Sequence, residues 1–562
     1  MKRKAAKYIC STVAVLWVAT SLCQAQAHLP LTNHVREVIR NGHAKHVGRL
    51  PADQMLQLNL VLAVGDQAGL DAFVKEVSDP ASPLYRRYLS VAEFTARFGP
   101  TAADYQALVQ FAEGSGLTVI GGSPDGMNVQ VKGSVSAIEA AFHITLATYQ
   151  HPTENRIFYS PDREPTPDLP FSLWHISGLD NYSIPHPLVV SKKEYAQAHG
   201  LNAEDLVAHA TTGSGPSGSF LGSDMRAAYS GGTTLTGAGQ NLGLFEYEGT
   251  DLADLNTYFA NAHQTNKVPV TLLSVDGTST SCVYTRKHRC DDTEQTLDMT
   301  QALGMAPGLA SLVMYIGSTD TAILSAMTTH NPLPTSIGCS WGWTPADPNT
   351  LNPFFEKMAA QGQTFFVASG DNSTWTKTGT AEAWPADNAY IVAVGGTDLV
   401  TAGAAGPWAS ETAWTYSGGG ISPDGIAIPS WQQYLGVINS SNRGSATYRN
   451  GPDVSANANF TFYVCADQTT CTANEYGGTS FAAPMWAGYI ALVNQKLQSQ
   501  GKADVGFLNP TIYQQNAQLS DYNTDFHDIA SGTSGKYSAV TGYDLVTGWG
   551  TPTPSLISTL AP

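Results

Sequence analysis

Residues 477–484 read GGTSFAAP, and the chain runs on from Phe481 as FAAPMWAGYIALVNQKL, apolar enough to be a buried helix. Ser480 therefore stands where a glycine-rich turn opens a helix, and there the helix dipole favours negative charge as it develops. A serine in that place reads as a nucleophile or as a plain helix cap. A nucleophilic hydroxyl needs a base, commonly histidine. His263, His288, His330 and His527 all lie in polar or loop contexts and read as surface residues.

Upstream of the serine the grain is an alternation of strands and helices. Strands are expected at QNLGLFEY (240–247), VTLLSV (270–275), SLVMYI (311–316), TSIGCSW (335–341), TFFVAS (364–369) and YIVAVGG (390–396). Helical spacing falls between them, in DLADLNTYFANAH, DTEQTLDMTQALG, TAILSAMTTH and LNPFFEKMAAQG. Near-continuous apolar strands separated by helices predict an α/β fold with a parallel sheet covered by helices on both faces. The glycine-rich TGAGQNLG at 236–243 precedes a strand instead of following one, so it is no phosphate cradle.

Two carboxylates in EQTLD, Glu294 and Asp298, are spaced i, i+4 and share one face of a helix. Side by side they repel, so they are expected to share a proton or hydrogen bond; a solvated helix face is the other reading. Asp371 ends an apolar strand in FFVASGDNS and reads as a turn residue unless its neighbours make it more.

The rest of the chain divides by composition. MKRKAAK, an apolar stretch and Ala25-Gln26-Ala27 make residues 1–27 a cleavable secretory signal. The apolar stretch is shorter than the roughly 20 residues of a spanning helix, which argues against a stable membrane anchor. Residues 28–185 mix strand and helix signals, from LQLNLVLAV and GLDAFVKEV to MNVQVKG and SVSAIEAAFHI, and predict a compact α+β unit of ferredoxin-like type. Residues 186–217 read as a linker open to processing, and 218–562 hold the α/β domain. Five cysteines remain after the signal; close spacing suggests Cys282–Cys290 and Cys465–Cys471 as bridges, with Cys339 buried in its strand. Charged residues make up 13% of the chain, against about 25% in average soluble proteins, and the net charge is −17. Nucleic acid is excluded as a partner, and a surface built on uncharged polar groups tolerates acid.

Several stretches together are similar to the sedolisins, serine-carboxyl peptidases made with a pro-kumamolisin-type activation domain. They are SPLYRRYLSVAEF, AIEAAFHITLATY, DMRAAY, EQTLD, AWPADNAYIVAVGGT, GGGIS, RNGPDVSANAN, GGTSFAAP and HDIASG…TGYDLVTGWGTP. The resemblance implies a subtilisin-like catalytic domain with Ser480 as nucleophile, Glu294 as general base, Asp298 as its orienting partner and Asp371 as oxyanion-hole donor. It also implies one structural Ca2+, held by the side chains of Asp528 and Asp544 and the carbonyls of Ile529, Val540 and Gly542, although family members often carry glycine where Val540 stands. Arg86 occupies a place where the pro-segment pattern commonly has histidine, and TSIGCSWGW carries Cys339 and lacks the acidic residue often found after this strand. A carboxylate base suits acid: at about pH 4 a histidine of pKa about 6.5 is only roughly 0.3% neutral, whereas glutamate is partly ionised.

The expectation is a secreted, monomeric zymogen, extracellular or periplasmic, that cleaves polypeptide substrates and is inhibited by its own pro-domain until it processes itself in acid. Endopeptidase action is expected over removal of tripeptides. The alternatives are a neutral subtilase-like protease, which would need a histidine base, and a catalytically silent binding protein on the same scaffold.

Overall fold

A computed structural model describes residues 32–206, 211–283, 290–377, 383–468, 470–517 and 522–562. The proposed signal segment, part of the linker and His288 lie outside these residues.

The N-terminal domain is built on a four-stranded antiparallel sheet of β1 (Met55–Leu62), β2 (Thr118–Gly122), β3 (Asn128–Ser134) and β4 (Leu173–Ser177), in the order β2-β3-β1-β4. With helices between β1 and β2 and after β3, this is the ferredoxin-like arrangement. Strand alternation divides its faces. Leu56, Leu58, Leu60, Val129 and Val131 point into the domain's own core with Leu108, Ile138 and Phe142. The intervening polar residues meet the larger domain: Gln57 Nε2 donates to Asp276 O (2.5 Å), Gln130 Nε2 to Val275 O (2.9 Å) and Asn59 Nδ2 to Thr321 Oγ1 (2.9 Å). A second, three-stranded sheet joins Lys45–Arg49, Leu146–Gln150 and Ile157–Pro161.

The larger domain holds an eight-stranded sheet: β5 (Asn241–Glu246), β6 (Val270–Ser274), β7 (Ser311–Ile316), β8 (Ser336–Cys339), β9 (Thr364–Ala368), β10 (Val392–Thr401), β11 (Trp408–Ala413) and β12 (Val454–Asn457). The order is β6-β7-β5-β8-β9-β10-β11, with β12 also on β10. All pairings are parallel except that of the edge strand β11, which runs antiparallel to β10. The six strands expected from sequence are present, and the helices expected between them are Leu252–Asn261, Thr293–Met305, Asp320–Met327 and Pro348–Gln361.

Two helices fix the geometry that matters. Thr293–Met305 is buried along its whole length and packs against Ala482–Ser499, itself buried over most of its length. A helix buried on every side is normally apolar throughout. The first of these instead carries Glu294, Gln295, Thr296, Asp298, Thr300 and Gln301 into the interior, and burying so many polar groups costs stability unless they are put to use.

The domains meet along Pro348–Gln361, against which Gln67–Ser78 and Val91–Phe98 pack. There Lys357 Nζ and Asp125 form a fully buried ion pair, and Gln67 Nε2 donates to Glu356 Oε2 (2.6 Å). Cys282–Cys290 and Cys465–Cys471 are bridged, and Cys339 is free and buried. Among the described residues no helix is long and apolar enough to cross a membrane.

The stretch at 186–217 differs from the exposed linker its composition suggests. His186–Pro187 pairs antiparallel with Trp341–Gly342, Val190–Ser191 pairs with the strand Thr470–Gly477, and Lys192–His199 is a helix capped by Ser191. Four of its first six residues are strand, because segments of the larger domain pair with them on either side of Leu188 and Val189.

Candidate active site

The site lies at the C-terminal ends of the parallel strands, where open α/β sheets hold their ligands. Ser480 comes from the turn Thr479–Phe481 that leads into Ala482–Ser499 and is fully buried. The structure brings all four residues singled out from sequence to this region. Ser480 Oγ donates to Glu294 Oε2 at 2.9 Å. Glu294 and Asp298 lie one helical turn apart, and Ser340 Oγ, just beyond β8, donates to Asp298 Oδ1 at 2.7 Å.

Sequence reasoning missed a third carboxylate. Glu246 ends β5, is fully buried, and accepts Trp341 Nε1–H on Oε2 at 3.0 Å. Its other oxygen, Oε1, has no protein donor; neither has Asp298 Oδ2 nor Glu294 Oε1. Since Asp298 is within hydrogen-bonding reach of both glutamates, shared protons are the natural partners of these three oxygens. Burial raises all three carboxyls well above the ordinary range, and their mutual repulsion adds to the effect at Glu246 and Glu294. A buried row of three acids cannot carry three charges. The Ser480 hydroxyl and the Val189 N–H (2.9 Å) both donate to Glu294 Oε2. That draws the remaining negative charge to the end beside the serine. An acidic residue closing the apolar run LGLFE at the C-terminal edge of a central strand was the available signal.

Asp371, beyond β9, is buried on the other side of the serine turn. Thr479 N and Oγ1 donate to its Oδ1 at 2.7 and 2.9 Å, and Oδ2 has no protein donor. Burial pushes its pKa up to about 7, against the opposing pull of the Thr479 bonds. Below that pH it is a carboxylic acid whose proton belongs on Oδ2. Gly478 makes room for it: φ is 137°, and a Cβ there would lie 2.6 Å from Asp371 Oδ2 and 2.5 Å from the Leu188 carbonyl oxygen. The site thus sets an acceptor carboxylate on the serine hydroxyl and a donor carboxyl on the adjoining Thr479, the complement needed for acyl transfer.

The histidines differ partly from the sequence reading. His263 is exposed, but His330 is half-buried and bonded to Tyr315, and His527 is half-buried and stacked on Trp408 at 3.9 Å between ring centroids.

The residues named for calcium gather in one loop cluster. Asp528 accepts from Gly542 N (3.2 Å), and the fully buried Asp544 accepts from Val540 N (3.0 Å), Val546 N and Thr547 N. Ile529 is buried next to Asp528. Burial raises both carboxyls, Asp544 to about 7. A buried and a half-buried carboxylate, joined through the backbone of Val540 and Gly542 in one turn, are hard oxygen donors of the kind that fits a hard cation.

Two family models match the chain: the pro-kumamolisin activation domain over residues 42–181 and the subtilase family over residues 298–535. Kumamolisin of Bacillus sp. (strain MN-32) is 31% identical over 92% of this chain and 94% of its own. Sedolisin of Pseudomonas sp. (strain 101) is 27% identical over 89% of this chain and 86% of its own. Among solved structures, Pseudomonas sedolisin complexed with two molecules of pseudo-iodotyrostatin aligns with a TM-score of 0.48 at 26% identity, over 60% of this chain and 96% of that one.

Proposed function

Since the chain belongs to the sedolisin family of serine peptidases and carries that family's activation domain, we propose that it is an exported, acid-acting endopeptidase using Ser480, Glu294, Asp298 and Asp371. The observation that carries this reading is the hydrogen bond from Ser480 Oγ to Glu294 Oε2. The hydroxyl oxygen attacks the scissile carbonyl carbon while its proton passes to Glu294. Asp298, itself protonated, holds the glutamate's other oxygen and keeps the charge beside the serine. Asp371, as a neutral acid, donates from Oδ2 to the oxygen that becomes negative. Glu294 then returns the proton to the departing amine, leaving an acyl-enzyme. Water, activated by the same carboxylate, releases the acid and restores Ser480.

Acid action follows from Asp371, which must stay protonated to donate. Endopeptidase action is supported by the stretch 186–191, which crosses the site with chain continuing on both sides; a cleft that removes tripeptides would be closed after the third residue. The activation domain, holding this stretch across Ser480, acts as the intramolecular inhibitor. A Ca2+ ion bound by Asp528 and Asp544, with the carbonyls of Ile529, Val540 and Gly542, would tie the C-terminal loops together as a structural ion. Export rests on the basic-apolar-small pattern of residues 1–27, and the enzyme is taken to act as a monomer.

The test sets purified wild-type precursor beside Ser480→Ala at about pH 4 and about pH 7. Only the wild type should shorten, and only in acid; the shortened enzyme should then cut an N-terminally blocked peptide. Shortening of Ser480→Ala, or equal activity at both pH values, would refute the reading.

A further inference from the structure

We infer that the bond this enzyme cuts in its own chain is Leu188–Val189. The inference rests on the self-processing reading above and names the bond on which that reading acts.

The backbone of HPLVVS (186–191) is held on both sides of one peptide bond. On the N-terminal side, Pro187 and His186 lie opposite Trp341 and Gly342, and Leu188 N donates to Ser340 O at 2.9 Å. On the C-terminal side, Val190 and Ser191 lie opposite Gly477 and Tyr476. The segment therefore leaves one strand edge and joins another, and the crossover is the Leu188–Val189 peptide.

The nitrogen and the oxygen of that peptide both lie beside the groups its cleavage requires. Val189 N–H donates to Glu294 Oε2 at 2.9 Å, the oxygen that also accepts Ser480 Oγ at 2.9 Å. The nitrogen that would leave is thus already on the carboxylate that would return its proton. The Leu188 carbonyl oxygen and Asp371 Oδ2 crowd the same face of Gly478, so the oxygen that would turn negative faces the donor acid. A shift of one residue toward the N-terminus would bring to Glu294 the Leu188 amide, which Ser340 O already engages, and would turn every side chain over.

The step balances without any further reactant than water. The Ser480 Oγ–C bond to Leu188 forms, the Leu188–Val189 C–N bond breaks, and the serine proton travels through Glu294 to the Val189 amine. Water then releases Leu188 as a carboxylic acid. Because the segment is tethered to the N-terminal domain on one side and to the helix Lys192–His199 on the other, the first cut is intramolecular. The same geometry defines a specificity. Leu188 is buried among the apolar residues of the main core, its Cδ2 3.4 Å from where a Gly342 Cβ would stand. The acyl-side pocket takes a medium-sized apolar residue.

The experiment acidifies wild-type precursor to about pH 4, samples it at short times, and reads fragment masses and the new N-terminus. The first fragments should end at Leu188 and begin Val189-Val190-Ser191, with a half-time independent of precursor concentration. Leu188→Lys should slow this cut at least about tenfold, while Leu188→Met should leave it nearly unchanged. The mature enzyme should split a blocked HPLVVS peptide between its Leu and Val. A first cut at another bond, a half-time that shortens as precursor concentration rises, or Leu188→Lys cut as fast at the same place would overturn the assignment. If the wild type digests denatured protein in acid yet starts at another residue, only the bond assignment falls. If it neither shortens nor digests protein, the peptidase reading falls with it.

Discussion

Replacing Asp371 by asparagine separates two properties of one side chain, its shape and its proton. In the proposed mechanism Oδ2–H donates to the developing oxyanion, while Oδ1 is occupied by Thr479 N and Oγ1. With a pKa pushed up to about 7 by burial, the donor is about 99% protonated at pH 5 and about 9% at pH 8. Activity should therefore fall roughly tenfold between these values and about tenfold per unit above them. Glu294 cannot cause this loss, because rising pH only ionises the base further. Asparagine keeps an oxygen for Thr479 and puts an N–H, which does not titrate, where the proton stood. Asp371→Asn should be slower than wild type at pH 5 but should lose the alkaline limb. Asp371→Ala, with no donor, should lose about 10²–10³-fold in kcat at pH 5. The assay is kcat against pH on a blocked peptide with matured enzyme, with samples held at pH 8 and returned to pH 5 to exclude irreversible inactivation. An alkaline limb near pH 7 that survives in Asp371→Asn, or full acid activity in Asp371→Ala, would refute the assignment.

Three other outcomes follow from the buried charges. Chelation with EGTA should lower the melting temperature of the Ser480→Ala precursor, added Ca2+ should restore it, and Asp544→Asn should abolish the response; a melting temperature indifferent to EGTA would count against the ion. Removing Asp125 alone leaves Lys357 buried without a partner and should cost about 3–5 kcal/mol, whereas Asp125→Leu with Lys357→Met should recover most of it; urea midpoints in the Ser480→Ala background measure both, and a single-variant cost below about 1 kcal/mol would show the pair to be solvated. Asp387 and Glu356 are each pushed up to about 7, chiefly by burial. Folded pKa values above the unfolded ones give stability that is fully present below about pH 4 and lost as pH rises through about 7. The precursor should therefore melt higher at pH 5 than at pH 8, and the opposite order in calorimetry would contradict the burial of these acids.

The parallel sheet was legible because its strands are buried on both faces. SLVMYI and TFFVAS are then apolar between their terminal Ser and Thr residues, and runs this short, alternating with longer segments of helical spacing, read as strands. The α+β character of the N-terminal domain could be read for the complementary reason, since in LQLNLVL the alternation of leucine with glutamine and asparagine marks a strand with two different faces. What that alternation could not reveal is that the polar face is also covered. Gln57 and Asn59 look solvated in sequence but hydrogen-bond the larger domain, and a polar contact across a domain boundary carries the same local signature as one with water.

The site divides along the same line. Glu294 and Asp298 could be paired from their spacing, since helical periodicity is local, and Ser480 from the turn before its helix. Glu246 could not be joined to them, because 47 residues, a helix and the strand β6 lie between β5 and the pair, and only the sheet order brings their side chains together. The segment at 186–191 is a stronger case. HPLVVS contains a proline and has no clean alternation, so nothing intrinsic makes it a strand, and its extended form comes from the edges at Trp341–Gly342 and Tyr476–Gly477. A conformation imposed by the receiving edge is what a peptidase imposes on any substrate. The absence of a strand signal at this stretch therefore agrees with its being held as one: a bond meant to be cut gains nothing from a structure that would persist once the cleft let go.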